Sequence, residues 1–148
     1  YKDEVRQIAR QLKIKSSERQ PFPGPGLAVR VLGDLTRPRV EACREACHIV
    51  EVRLREAAAE GKCDIPWQYF AALLPVRSVG VHGDARVHGE TIVVRAVTSL
   101  DGMSARYSEI PHDILAEIST EITNKLKGQV NRVVYDITHK PPGTIEWE

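Results

Sequence analysis

Apolar and polar positions change their period several times along the chain, and each change predicts an element. Over residues 1–15, Val5, Ile8, Leu12 and Ile14 recur at helical spacing between charges, which predicts an amphipathic helix that needs a partner surface. Ser16 to Arg19 break the pattern. Pro21-Phe-Pro-Gly-Pro-Gly26 then excludes both helix and central strand. By composition alone this loop is a linker, but Phe22 is held between prolines and Leu27, Val29 and Val31 alternate as a strand beyond it. The loop is therefore assigned to the domain. Thr36 as N-cap and Pro38 in the first turn open a helix running to Gly61, with Val40, Cys43, Cys47, Val50 and Leu54 on one stripe.

From Ile65 to Val81 the chain is at its most apolar, cut only by Pro75 and Gly80, with Gln68 as its one amide. This stretch and the β-branched run Thr91 to Val97 predict two antiparallel strands, with His82 to Gly89 as the loop between them. Asp101-Gly-Met-Ser-Ala is a turn. Pro111 starts a second helix whose stripe is Ile114, Leu115, Ile118, Ile122 and Leu126, ending at Gly128. In the last strand Val133, Tyr135 and Ile137 alternate with Arg132, Val134, Asp136 and Thr138, giving one dry face and one mostly polar face. Pro141 and Pro142 end it and Gly143 permits a turn. Thr144, Ile145 and Trp147 make the remainder a docked tail, since ordering such residues is favourable only if they bury something. One-sided helices and one-sided strands together predict an α+β fold, a small antiparallel sheet with helices packed on one face.

At 148 residues the chain has the size of one domain. It starts at Tyr1 without Met, already in a helical pattern, and is expected to be a fragment of a longer protein. Charged residues are 28% but nearly cancel to +1, which excludes a broad basic face for nucleic acid. No apolar run approaches the roughly 18 residues of a membrane span. Three cysteines, an odd number, fit a reducing cytoplasm better than a disulfide scaffold. Cys43 and Cys47 read as small buried hydrophobes rather than a metal pair, because His48 points off their stripe. His82 and His88 read as solvated, with Asp84 the one acidic residue near them.

No nucleophile elbow, phosphate-binding glycine loop ending in Lys-Ser or Lys-Thr, HExxH or paired CxxC occurs. The features that gather are those of a binder of a flat anionic ligand: the cations Arg132 and Lys140, the carboxylate of Glu146, the amide of Gln68 and the stiff Pro/Gly loop. Lysine supplies a point charge for phosphate, and a carboxylate accepts from the N–H of a base. Taken singly, each is a solvated surface charge.

The segments Lys2-Asp-Glu-Val-Arg6, Pro21-Phe-Pro-Gly-Pro-Gly-Leu-Ala28, Ser78-Val-Gly-Val-His-Gly-Asp84, Asp101-Gly-Met103, Asn131-Arg-Val-Val-Tyr-Asp-Ile-Thr138 and Lys140-Pro-Pro-Gly-Thr-Ile-Glu-Trp-Glu148 occur in that order. Together they resemble the C-terminal domain of glutamine-hydrolysing GMP synthetase over essentially the whole chain. The resemblance divides the chain into residues 1–15, the end of an ATP-pyrophosphatase domain or connecting helix, and residues 16–148, a dimerisation domain. It implies that this domain binds xanthosine monophosphate (XMP) and forms a homodimer. In the family, ATP activates the xanthine ring oxygen in the pyrophosphatase domain, and ammonia from a glutamine amidotransferase domain or subunit displaces AMP to give GMP. ATP and Mg belong to the full enzyme. This fragment is expected to hold no cofactor, catalytic residue or metal ligand and to be inactive alone.

Carried over position by position, Gln68, Arg132, Lys140 and Glu146 match the XMP-contacting residues of the family. Lys140 is expected near the 5'-phosphate and Glu146 near the ribose or the base. Gly24, Pro25 and Gly26, as a wall for the base, and Thr144 and Ile145 are secondary candidates. Arg77 stands where Lys is usual, Arg86-Val-His88 replaces an Arg-Thr/Ser-Tyr pattern, and His139 stands where Ser is usual. Arg132 and Lys140, eight residues apart, would lie about 26 Å apart in an extended strand. Either the chain bends by Thr138, or the two cations serve different ligands across a dimer, or Arg132 has a structural partner such as Asp136; the dimer is the expectation adopted. The stretch Trp67 to Val81 carries more apolar surface than one helix layer covers and is assigned to that dimer. The rival reading is a purely structural self-association module without a ligand site.

Overall fold

A computed structural model describes residues 2–14 and 20–148. Its elements are α1 (Lys2–Gln11), a 3-10 helix (Gly26–Arg30), α2 (Arg37–Ala59), β1 (Gln68–His82), β2 (Ala85–Thr98), β3 (Arg106–Tyr107), α3 (His112–Lys125) and β4 (Val130–Tyr135). The fold is α+β. β2 is the central strand, antiparallel to β1 along its whole length and antiparallel to β3 at its end. β4 joins β2 in parallel on the edge away from β1, the edge that β3 also uses, from Glu90↔Val130 to Val94↔Tyr135, so one pairing departs from the expected antiparallel arrangement. The reason is the crossover: α3 lies between β3 and β4 and returns the chain to the start of β2, as parallel strands require.

The two sheet faces have different covers. Tyr69, Ala71 and Leu73 of β1, Ile92, Val94 and Ala96 of β2, and Val133 and Tyr135 of β4 point to α2 and α3. The helices answer with Cys43, Ala46, Val50 and Leu54 from one stripe and Ile114, Ile118 and Ile122 from the other, all buried. Removing a side chain such as Ile118, 0% exposed, to Ala would cost about 3 kcal/mol through lost transfer energy and a residual cavity. On the opposite face Phe70, Ala72 and Val93 are covered by Leu32 and Ile145, so the second cover is the tail itself. That accounts for the apolar excess of the first half of β1 within a single chain.

Three expectations change in detail. Leu27 to Arg30 lie in the 3-10 helix and Val31 after it makes a single bridge to Leu73, so no strand forms here. The turn closed by Gly26 N–H to Pro23 O, 3.0 Å, with Gly26 at φ +75, hands the chain on at helical pitch. His82 to Gly89 is not a loop; the strands run on to a two-residue turn at Gly83 and Asp84, with His82 paired to Ala85. Gly80 and Gly89 are small because the Asn131 side chain lies against both, where an added Cβ would stand 2.7 and 2.9 Å from it. Ile137 is 64% exposed and lies beyond β4, outside the dry face. Thr36 and Pro38 do open α2, although the Thr36 hydroxyl makes no capping bond.

α1 is a helix as its period predicts, and its apolar positions Val5, Ile8 and Leu12 are 65%, 55% and 67% exposed. Ser16 to Arg19 lie outside the described residues.

Candidate functional site

The tail does fold back. After Tyr135 the Asp136 carboxylate accepts from Thr138 N–H at 2.9 Å and from the Trp147 indole N–H at 3.0 Å, so the start and end of the tail are held by one side chain. Lys140 then forms a two-bond bridge with Ala105, at 2.8 and 2.9 Å. Both following prolines are in cis peptide bonds, and Gly143 N–H closes the turn onto His139 O at 3.0 Å.

Glu146 ends this excursion beside Gln68, so two of the candidate residues meet: the Gln68 amide donates to Glu146 Oε1 at 2.8 Å. A residue not singled out from the sequence completes the group. Arg30 donates through Nη2 to Oε1 at 2.9 Å and through Nε to Oε2 at 3.2 Å, a bidentate pair with side chains 3% and 18% exposed. Its guanidinium lies 4.2 Å from the Phe70 ring centre and 4.9 Å from that of Phe22. Burial works against the Arg30 charge, and the hydrogen bond and charge of Glu146 outweigh it, so the Arg30 pKa stands above its ordinary value. The loop of Gly24, Pro25 and Gly26 therefore has a role legible in three dimensions: it carries Phe22 over Arg30 and delivers Arg30 from the 3-10 helix it starts. Cys43 and Cys47 lie beneath, their thiols donating to Arg30 O at 3.3 Å and Ala71 O at 3.1 Å. The hydrogen bond with Cys47, together with burial, holds the Cys43 thiol protonated. All three cysteines are free.

Thr144 and Glu146 line a cleft of about 500 Å³ with Val93, Val134, Asp136 and Trp147. Ile145 is packed inward against the sheet. Lys140 lies elsewhere. Its ammonium donates to Gly102 O at 2.7 Å and borders a second cleft of about 530 Å³ with Ser99, Asp101, Arg106 and His139. Gly102, at φ +81 and with Trp67 3.2 Å from where a Cβ would be, fixes that turn. His139 stacks on Tyr107 with ring centres 5.2 Å apart and accepts from its N–H. Arg132 is apart from both, donating to the Ser78 hydroxyl at 3.2 Å on β1. Its partner is thus Ser78 rather than Asp136. Among the described residues no three His, Cys, Asp or Glu side chains gather as a metal set, and no helix is long and apolar enough to cross a membrane.

Comparison with known proteins fits this docked tail. The family model described as GMP synthase C terminal domain matches residues 55–147, well over half of the chain. The chain belongs to that family. A GMP synthase [glutamine-hydrolyzing] of Nostoc punctiforme is 53% identical over 150 aligned positions, covering 100% of this chain and 27% of the relative. Proteins of the same name from Thermomicrobium roseum and Listeria welshimeri are 53% and 50% identical, each with 28% of its length covered. The chain thus spans little more than a quarter of these GMP synthases. The family match takes in β1 to β4 and the tail through Trp147, so Gln68, Arg132, Lys140 and Glu146 all fall inside it, whereas Arg30 precedes it.

Proposed function

We propose that this domain binds XMP and pairs with a second copy of itself within a glutamine-hydrolysing GMP synthase, a ligase that makes GMP from XMP with ATP and glutamine-derived ammonia. Catalysis belongs to an ATP-pyrophosphatase domain and a glutamine amidotransferase domain or subunit outside these residues, which would bring ATP and Mg. The observation that carries the reading is the return of the tail onto the sheet, with Glu146 oriented by Arg30 and Gln68 at one cleft and Lys140 held by the 102–105 turn at another. Among the described residues Glu146 Oε2 is engaged only by Arg30 Nε at 3.2 Å, which leaves it able to accept from a sugar hydroxyl or a base N–H. Lys140 supplies the charge for a phosphate. Lys140 borders a cleft while Arg132 stands apart from it against Ser78 of β1, which supports the two cations not serving one ligand within a single chain.

The apolar face of α1 left open at Val5, Ile8 and Leu12 supports its assignment to the preceding domain. The rival, a self-association module without a ligand, draws on the same ion pair, since Glu146 already has internal partners. Lys140→Ala in the complete enzyme separates them. A KM for XMP raised roughly 10-fold or more with dimer mass intact supports nucleotide binding, because a charge-assisted phosphate contact is worth about 1.5–3 kcal/mol. An unchanged KM leaves the self-association reading.

A further inference from the structure

We propose that Arg95 is a positioning residue for this site: it fixes Lys140 and Glu146 relative to one another without touching the ligand. The inference rests on the XMP-binding reading above and adds to it a residue that lies on neither cleft.

Arg95 sits in the middle of β2, opposite Phe70, on the sheet face that the tail covers, and is 0% exposed. A guanidinium in that position is costly unless its donors are filled. Among the described residues they are filled by the tail alone. Nη2 donates to Thr144 O at 2.9 Å, Nη1 to Thr138 O at 2.5 Å and to Asp136 O at 3.4 Å, and Nε to Ile145 O at 3.4 Å. The Asp136 carboxylate stands 3.4 Å from Nη1 as the counter-charge.

The acceptors fall in two groups, residues 136 and 138 before Lys140 and residues 144 and 145 just before Glu146. One planar fork therefore clamps both legs of the loop that carries the ammonium at one end and the carboxylate at the other. The outer anchors are far from one another: Lys140 is tied to Ala105 and Gly102, and Glu146 to Arg30 and Gln68. Arg95 links them through four backbone carbonyls and the Asp136 counter-charge, which is what a side chain that sets geometry rather than chemistry would do. A lysine at this position keeps the charge but has one nitrogen and cannot spread over four carbonyls.

The test uses the full-length enzyme with Arg95→Lys and, as a second approach to the same clamp, Asp136→Asn, which keeps the shape of the side chain but takes away the counter-charge of the buried guanidinium. Both are expected to raise KM for XMP roughly 10-fold or more, in line with the cost of misplacing binding groups by an ångström or less. The KM for ATP and kcat at saturating XMP should stay close to the parent's, the melting temperature should fall because a buried charge loses part of its partners, and hydrogen exchange should accelerate first over residues 138–146. Combining Arg95→Lys with Lys140→Ala should give less than the product of the two single effects, because Arg95 acts partly through Lys140. An unchanged KM for XMP in both variants, while exchange over the loop accelerates, overturns the proposal, as does a uniform loss in kcat and melting temperature with no selective effect on XMP. If Lys140→Ala and Glu146→Gln also leave KM for XMP unchanged, the ligand-site reading fails with it. If those two respond and the Arg95 and Asp136 variants do not, only the positioning role is lost.

Discussion

Arg30 and Glu146 are separated by 116 positions and meet as a two-bond ion pair, Nη2 to Oε1 at 2.9 Å and Nε to Oε2 at 3.2 Å. It is the direct link between the loop that precedes α2 and the last residues of the chain. Replacing Arg30 with Met leaves Glu146 beside Gln68 in a largely desolvated corner, and losing one member of a buried pair costs about 3 kcal/mol. Urea unfolding of the chain should show that loss as a lower midpoint at unchanged slope. Arg44→Met is the control, since the Arg44–Glu41 pair is 59% and 55% exposed and such pairs contribute well under about 1 kcal/mol. Equal midpoints for the two variants would mean that the tail docks without the ion pair.

Tyr135 makes stability depend on alkaline pH. Its hydroxyl donates to Ser108 O at 2.5 Å, with Ala96 O at 3.5 Å, and burial pushes its pKa well above the ordinary phenol value. A group whose pKa is raised on folding contributes stability that is fully present below the unfolded-state pKa, about 10, and is lost as pH rises through the folded-state value. Tyr135→Phe should cost about 1 kcal/mol at pH 8 for the lost hydrogen bond, and the gap to the parent should narrow as pH is taken above about 10. Urea midpoints of both proteins across that range are the measurement, and a constant gap would mean that Tyr135 does not couple to pH.

The elements set by period were legible in the sequence. The stripes of α2 and α3 and the alternation of Val133 and Tyr135 each dictate a buried face, and each is buried against the helical side of the sheet. Pairing direction was not, because β4 can meet β2 in either sense on alternation alone and the α3 crossover decides it. In the site, Gln68 and Glu146 meet, and Arg132 and Lys140, whose spacing along the strand already set them too far apart for one ligand, stand at different places. Arg30 and Arg95 were missed because a lone cation in a strand pattern reads as a solvent-facing residue. Arg95 did leave a signal. It interrupts Ile92-Val-Val-Arg-Ala-Val97, a run apolar enough for burial on both faces, and a charge inside such a run needs a partner. Arg30 follows a loop that presents Phe22 between two prolines, a ring with no stated purpose until the guanidinium beneath it is seen.

The β1–β2 hairpin is the first surface to test for self-association. The apolar excess of β1 has two parts: Tyr69 to Leu73 are buried within the chain, whereas Val76, within the irregularity between Leu74 and Arg77, and Val79 and Val81 beyond it are 54%, 44% and 69% exposed. Leu73→Asp would therefore place a charge at a position 0% exposed and unfold the domain, and tells nothing about assembly. Val79→Asp and Val81→Asp change only the projecting strand, where a surface substitution costs within about 0.5 kcal/mol of stability in the monomer. If two copies meet through this hairpin, each variant should move the complete enzyme from dimer to monomer mass in light scattering while its melting profile in this domain holds, because a desolvated carboxylate at a paired apolar surface has no counter-charge to meet. Arg77 is also on this strand and donates to His88 O at 2.9 Å, so its charge stays with its own hairpin and is not free to neutralise the new carboxylate. A dimer mass unaffected by both variants would place the contact elsewhere, with the exposed Leu100 and Met103 of the turn beside Lys140 as the next surface to charge.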